Sequence, residues 1–174
     1  MLITEAYAKE QRLMHQNERY GAASKKFAPQ VIALIKDRQP KTILDYGAGK
    51  QALTAEIADF LQDAELVSYD PGVPDIADLP DDLFDLVCCI DVLEHIEPEC
   101  LDDVIQSISA RTHDVAFITI HTGPAGKSLS DGRNAHLIQR PLKWWRRKLQ
   151  AYFPQVKAKM HNETTIIAIC EGWK

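Results

Sequence analysis

The segment 42–50, TILDYGAGK, constrains the fold more than any other part of the chain. An apolar run with β-branched residues leads to an acid, Asp45, and then to two glycines one residue apart, Gly47 and Gly49. Apolar residues then recur at spacings of three and four, which predicts a helix over about 51–61. A strand, a glycine turn and a helix in this order form nucleotide pockets in α/β sheets, because glycines let the backbone approach the ligand closely.

The length of 174 residues suggests a single domain, 1–174, long enough to bury a core. Residues 4–20 are polar and weakly amphipathic, so we predict a helical arm or lid over 1–20. The net charge of −5 does not favour nucleic acid or an anionic membrane as a partner, although a local basic patch would allow either.

The four cysteines form no CxxC pair, and Cys88 and Cys89 are adjacent in an apolar run. We interpret them as buried free thiols. No signal-peptide pattern is visible at the N-terminus, and no apolar run approaches the roughly 20 residues that span a bilayer. These features predict a cytoplasmic protein that is not bound to a membrane.

The remaining apolar runs complete an alternation of strands and helices. Further strands are predicted at 65–69, 84–90 and 115–120, and helices at 27–37, 98–110 and 141–153. The interval 70–85 is too short for a full helix and strand, so we expect a shortened crossover with a stub of strand near 76–78. Two final strands, 156–160 and 164–170, are separated by three residues, which forces an antiparallel hairpin. The sequence therefore predicts a three-layer α/β/α fold with a mostly parallel sheet and a C-terminal antiparallel hairpin.

Five motifs occur in a recognisable order. ILDYGAG is followed by an acid, Asp70, about 20 residues after the glycines, then by PDIADLPDDLFDLV, CIDVLEHI and NAHLIQRPLKWWRRKLQAYFPQV. Together they resemble the class I S-adenosylmethionine-dependent methyltransferases, which have a Rossmann-like fold, over roughly residues 20–170. One departure is Gln51, which stands where that family has a third glycine.

The resemblance implies an S-adenosylmethionine cofactor and a set of residues that bind it. Asp70 would bind the ribose hydroxyls, Asp75 the adenine amino group with Ile76 on the ring, and Tyr20 would fold over the cofactor as a lid. The cofactor-binding residues implied are Tyr20, Asp45, Gly47, Ala48, Gly49, Asp70, Pro71, Asp75, Ile76, Asp91 and Val92. Plainer interpretations stay open, since aspartates are common in turns and a glycine after tyrosine breaks a helix.

The acceptor side is less well defined by the sequence. The loop 121–140 offers a charged donor, an amide and a titratable base within four residues, at Arg133, Asn134 and His136. With His95 after the central strand, these are the predicted substrate-binding residues. His136 and His121 are the predicted bases. We predict no metal site, because Asp91, His95 and His121 show no regular ligand spacing.

The predicted function is methyl transfer by in-line displacement to an oxygen or nitrogen of a small-molecule, sugar or nucleotide-type acceptor. The chain lacks the NPP[YF] and Pro-Cys signatures of base-modifying methyltransferases. A nucleic-acid methyltransferase that uses the basic helix 143–148 stays an alternative, as does a non-catalytic cofactor-binding module. In that helix Trp144 and Trp145 cannot share a face, so one is expected in the core. A dinucleotide oxidoreductase is disfavoured by the hairpin and the missing third glycine.

Overall fold

Six strands form one sheet in the computed structural model, which describes residues 1–17 and 20–173. The order across the sheet is β2-β1-β3-β4-β6-β5. The strands are β1 (Thr42–Tyr46), β2 (Glu65–Tyr69), β3 (Phe84–Ile90), β4 (Thr112–His121), β5 (Gln155–Met160) and β6 (Thr165–Glu171).

Within the described residues, five α-helices accompany the sheet: α1 (Glu5–His15), α2 (Ala28–Arg38), α3 (Ala52–Ile57), α4 (Leu101–Arg111) and α5 (Leu142–Gln150). The predicted helical segment 4–20 is therefore helical to His15; residues 18 and 19 of that prediction lie outside the described residues. Among the described residues, no helix is long and apolar enough to cross a membrane.

Strand directions follow the predicted pattern. β1 pairs in parallel with β2 and β3, and β3 pairs in parallel with β4. β6 returns antiparallel between β4 and β5. The predicted Rossmann-like fold with a C-terminal antiparallel hairpin is confirmed.

The sheet has a hydrophobic core on each face. Leu86 and Cys88 of β3 lie in the cluster formed with α2 and α3, whereas Val87 and Cys89 lie in the cluster formed with α4 and α5. All four side chains are fully buried, and both cysteines are free thiols. A parallel strand covered by helices on both faces has this continuous apolar sequence.

The stub of strand predicted near 76–78 is wrong. The chain makes a 3-10 turn at Pro74–Ile76 instead, and the Asp70 backbone N–H donates to the Ile76 carbonyl over 2.8 Å. Proline fixes φ and lacks an N–H group, so it favours a turn here over a strand. The turn folds the segment back over the end of β2.

Gln51 adopts a left-handed conformation, with φ 53° and ψ 31°, at the N-cap of α3. Left-handed backbone costs a residue with a side chain about 1–2 kcal/mol. We therefore expect Gln51→Gly to raise the free energy of unfolding by about 1 kcal/mol, measured by urea denaturation. Gln106→Gly, at an exposed position inside α4, is the matched control and should lower it by about 1 kcal/mol. Equal losses in both variants would contradict this account of Gln51.

Candidate active site

A cavity of about 520 Å³ lies at the carboxyl ends of the parallel strands. Its lining includes the residues that end or follow these strands: Gly47 after β1, Asp70 after β2, Asp91 after β3 and His121 at the end of β4. Helix α1 contributes a further wall. Ligands of α/β sheets bind at this edge.

The glycine loop after β1 is held against β2 and against the segment before α2. The Gly47 N–H donates to the Tyr69 carbonyl over 2.7 Å. Gly47 has φ +80°, and a Cβ there would lie 2.4 Å from Val92 Cγ2. Gly49 has φ +53°, and a Cβ there would lie 2.6 Å from the Gly21 carbonyl oxygen. Both positions therefore exclude any side chain.

Asp70 ties the end of β2 to this loop. Its Oδ2 accepts the Gly49 N–H over 2.9 Å, and its Oδ1 accepts the Gly72 N–H over 2.8 Å. The His15 Nε2 lies 3.8 Å from Oδ1. Each carboxylate oxygen can accept a second hydrogen bond, and Asp70 lines the cavity. The carboxylate can therefore order the loop and still bind hydroxyl groups.

Several buried polar atoms at the cavity have no partner within the described part of the chain. They belong to cavity-lining residues: Gln11 Nε2, His15 Nδ1 and Ser24 Oγ. The Tyr20 hydroxyl donates to Gln11 Oε1 over 2.8 Å, so Tyr20 joins this group. An unsatisfied buried polar atom costs about 1–3 kcal/mol. Such a lining fits a polar ligand that would supply the missing partners.

The predicted cofactor-binding residues divide into two groups. The cavity is lined by Tyr20, Gly47, Gly49, Asp70, Pro71, Asp91 and Val92. The described lining does not include Asp45, Ala48, Asp75 and Ile76. Asp45 is buried within β1 and Ala48 is buried within the glycine loop. Asp75 and Ile76 lie in the 3-10 turn after β2, with Asp75 exposed.

Asp45 is 1% exposed, and the Thr54 hydroxyl lies 3.4 Å from its Oδ2. Burial raises the pKa of Asp45 to about 7. An acid whose pKa is higher in the folded state than in the unfolded one stabilises the fold below the unfolded pKa of about 3.9. That contribution is lost as the pH rises through the folded pKa.

Asp45→Asn removes this ionisation, because an amide does not titrate. The stability of the variant relative to the wild-type protein should therefore rise between pH 4 and pH 8, by on the order of a few kcal/mol. Urea denaturation of both proteins at several pH values measures this difference. A difference that does not change with pH would show that Asp45 does not have a raised pKa.

Three histidines meet at the other end of the cavity. The ring centroid of His136 lies 4.7 Å from that of His95 and 4.9 Å from that of His121. His95 Nδ1 lies 2.9 Å from the Ala135 carbonyl oxygen, and His136 Nδ1 lies 2.7 Å from that of Gly123. A carbonyl only accepts, so both rings carry their proton on Nδ1 and have a lone pair on Nε2. Burial lowers the pKa of His95 to about 4 and also lowers that of His136, so both rings are neutral near pH 7.

Glu94 lies beside these histidines and was missed as a site residue in the sequence analysis. Its side chain is fully buried, and its Oε1 accepts the His121 N–H over 2.8 Å. Oε2 has no hydrogen-bond partner among the residues described. Burial raises the pKa of Glu94 to about 8. The signal available in the sequence was its position directly before His95, in the motif after the central strand.

Asp91 is fixed by its neighbours at the mouth of β3. It has φ 53°, and its Oδ1 accepts the Thr119 hydroxyl over 2.8 Å. The Lys26 ammonium lies 2.8 Å from Oδ2. Lys26 also lines the cavity, a role that no motif in the sequence indicated.

Two predicted substrate-binding residues lie outside the described cavity lining. Arg133 is more than half exposed and pairs with Asp131, with Nε 2.7 Å from Oδ2. Asn134 Oδ1 accepts the N–H groups of Ala125 and His136, both over 2.9 Å. Asn134 thus folds the loop that carries His136 and does not face the cavity itself.

Comparison with known proteins identifies the family. A model of the methyltransferase domain matches residues 14–170. The chain belongs to the methyltransferase domain family. This match confirms the family resemblance found in the sequence motifs. No curated protein sequence matches the chain.

Solved methyltransferase structures share the fold. A 1,6-didemethyltoxoflavin-N1-methyltransferase from Burkholderia thailandensis, bound to its substrate and S-adenosylhomocysteine, has a TM-score of 0.68 at 14% identity, with 100% of this chain and 92% of that one covered. An O-methyltransferase family protein from the same species has a TM-score of 0.67 at 12% identity, and the match covers 95% of this chain and 63% of that one. Human N-acetylserotonin methyltransferase in complex with S-adenosylmethionine has a TM-score of 0.64 at 12% identity, and the match covers 96% of this chain and 57% of that one. The chain therefore spans less than two thirds of the latter two, and these identities show the fold alone.

Two basic side chains of helix α5 in this methyltransferase domain make contacts within the chain, whereas Lys143 and Arg147 are exposed. Trp145 is fully buried, which confirms that one tryptophan of the pair lies in the core, and Trp144 is partly buried. The Arg146 guanidinium donates to the Ala158 carbonyl over 2.7 Å, and the Lys148 ammonium pairs with Asp102. These contacts give no support to α5 as a nucleic-acid surface.

Proposed function

We propose that the protein is an S-adenosylmethionine-dependent methyltransferase that acts on an oxygen or nitrogen atom of a small molecule. The observation that carries this proposal is the hydrogen bond by which Asp70 holds the glycine loop. Asp70 lines the same cavity as the three histidines. The family membership supports methyl transfer as the reaction.

The end of the cavity around Asp70 fits the cofactor. Gly47 and Gly49 keep the loop free of side chains, and Asp70 has acceptor capacity left for the ribose hydroxyls. The unpartnered polar atoms of Gln11 and His15 would gain hydrogen-bond partners. When bound, S-adenosylmethionine supplies an electrophilic methyl group, which passes to the acceptor atom while the electron pair of the broken bond stays on sulfur.

Helix α1 acts as a lid in this proposal, together with Tyr20. Thr4 donates through its N–H and its hydroxyl to the Glu97 carboxylate, over 2.9 and 2.7 Å. The Tyr7 hydroxyl donates to the His95 carbonyl over 2.7 Å. These two partners line the cavity, and the N–H and hydroxyl of Ser130 donate to Glu10 of the same helix, so α1 would close over a bound ligand and exclude water.

The histidine end of the cavity takes the acceptor. His136 Nε2 has a free lone pair and is the proposed proton acceptor for a hydroxyl or amine, with His121 as the neighbouring alternative. Positioning of the acceptor opposite the methyl group provides much of the rate enhancement. The small-molecule substrate named for the toxoflavin methyltransferase supports an acceptor of that size.

A labelled-methyl assay tests this function. Extract is separated into small molecules and nucleic acid, and each fraction is incubated with the protein and S-adenosylmethionine labelled in its methyl group. We expect the wild-type protein to transfer label to the small-molecule fraction. Asp70→Asn should transfer little label, because it loses the charged hydrogen-bond acceptor for the ribose hydroxyls. Label in nucleic acid alone would contradict the acceptor class. Binding of the cofactor without any transfer would indicate a non-catalytic module.

A further inference from the structure

We propose that Glu94, His95 and His136 form a binding site for a divalent transition-metal ion at the acceptor end of the cavity. Each residue offers one ligand atom, and the three atoms lie within 4.8 Å of one another. All three residues line the cavity. Glu94 and His95 are adjacent in the short 3-10 turn that follows β3, and the loop after β4 brings His136 next to them.

Both imidazoles are already oriented as ligands. The Nδ1–H of His95 donates to the Ala135 carbonyl, and that of His136 donates to the Gly123 carbonyl. Metal-binding histidines in proteins commonly donate their second ring N–H to a backbone carbonyl, which fixes the tautomer and the ring orientation. The Nε2 lone pair of each ring is therefore available to an ion.

Glu94 supplies the strongest indication. Its Oε2 is buried and has no hydrogen-bond partner among the described residues, and such a buried polar atom is costly unless a ligand pairs with it. The nearby Lys26 ammonium pairs with Asp91, 2.8 Å away. The opposite oxygen of Glu94 is held by the His121 N–H, which fixes the carboxylate and leaves Oε2 for an ion.

The donor set restricts the choice of ion. Two imidazole nitrogens and one carboxylate oxygen suit Zn²⁺, Co²⁺, Mn²⁺ or Fe²⁺, whereas Mg²⁺ and Ca²⁺ prefer oxygen ligands alone. Three protein ligands leave at least one coordination position open, as in catalytic zinc sites. That position is available to a ligand in the cavity.

The site also specifies the acceptor, an inference that rests on the proposed methyltransferase function. A hydroxyl oxygen bound at the open position loses its proton to solvent more readily than a free hydroxyl. The oxygen then forms the new bond to the methyl carbon as the carbon–sulfur bond breaks. With an ion bound, the His136 Nε2 lone pair is used to hold the ion and is no longer available as a base. The ion then activates the methyl acceptor in its place.

Direct metal binding tests the proposal without any assay of activity. Protein treated with a chelator and dialysed is titrated with Co²⁺, followed by its visible absorption, and then with Zn²⁺ by calorimetry. We expect one ion per chain. Glu94→Gln and His136→Gln should each weaken binding about 100-fold, whereas His113→Gln, an exposed histidine outside the cluster, should leave it unchanged.

The outcomes separate this proposal from the proposed function. Absence of stoichiometric binding, or equal affinity in the wild-type protein and both cluster variants, would overturn the metal site. Far-UV circular dichroism shows whether each variant is folded. If Glu94→Gln does not fold, the metal affinity of His136→Gln tests the proposal, because His136 is only half-buried. S-adenosylhomocysteine binding is measured on the same samples. If the protein binds S-adenosylhomocysteine but no metal ion, only the metal-site proposal is contradicted. If it binds the metal ion but not S-adenosylhomocysteine, only the proposed methyltransferase function is contradicted.

Discussion

Gly47→Ala is expected to lower the free energy of unfolding by about 2–5 kcal/mol and to weaken S-adenosylhomocysteine binding at least tenfold. The φ of +80° costs a residue with a Cβ about 1–2 kcal/mol. The added Cβ would also lie 2.4 Å from Val92 Cγ2, and overpacking of this kind costs about 1–3 kcal/mol. Val92 is β-branched, so it has few rotamers with which to avoid the contact. Urea denaturation and calorimetry measure the two effects.

Two further variants separate the backbone effect from the steric one. Val92→Ala removes the colliding methyl groups, so the double variant Gly47→Ala/Val92→Ala should recover about 1–2 kcal/mol relative to the sum of the single changes. Gly126→Ala is the matched control, since a Cβ there has no neighbour within 4 Å. It should change stability by less than about 0.5 kcal/mol. Similar losses for Gly47→Ala and Gly126→Ala would contradict the account of the glycine loop.

His136→Gln is expected to lower kcat by about 10²–10⁴-fold while the affinity for S-adenosylhomocysteine stays within threefold. The histidine lines the acceptor end of the cavity, away from Asp70, and its Nε2 lone pair is the reactive feature. The change is measured with the acceptor found in the labelled-methyl assay. His113→Gln changes an exposed histidine whose Nδ1 lies 3.1 Å from Asp85 Oδ1, outside the cavity lining, and should retain wild-type activity.

Chelation distinguishes the two roles open to His136. If the side chain is a metal ligand, wild-type protein treated with a chelator should fall to the rate of His136→Gln and recover when Zn²⁺ or Co²⁺ is added. If it acts only as a base, the chelated protein should keep its rate. Full activity of His136→Gln would contradict both roles.

The fold was predictable because local pattern and chain length left few alternatives. A continuous apolar run such as 84–90 predicts a strand covered on both faces, and it is β3. A three-residue connection before the last strand permits only an antiparallel hairpin. The 3-10 turn at Pro74–Ile76 escaped prediction, because a few residues between turn signals carry no periodicity that identifies their structure.

The site was predictable only where its residues are close in sequence to a strand end. Gly47, Gly49 and Asp70 follow from motifs, and they do line the cavity. Gln11 and His15 enter the cavity because α1 docks across it, which is a tertiary contact that no local pattern reports. The same applies to Lys26, placed against Asp91 by the 3-10 turn before α2.

Arg133 is a predicted site residue that lies outside the described cavity lining. A charged donor in a loop at the carboxyl end of a strand is a reasonable substrate-binding residue. In the structure a neighbour two positions away, Asp131, takes up its guanidinium at the surface. Loop residues with short polar neighbours often form hydrogen bonds with them. The sequence alone does not show whether such a residue binds its neighbour or a ligand.

The central claim, that this cavity binds S-adenosylmethionine, is tested most directly by calorimetry with S-adenosylhomocysteine, with NAD as the competing ligand. The account predicts one molecule of S-adenosylhomocysteine bound per chain, a loss of affinity in Asp70→Asn, and no binding of NAD. Binding of NAD without binding of S-adenosylhomocysteine would contradict it.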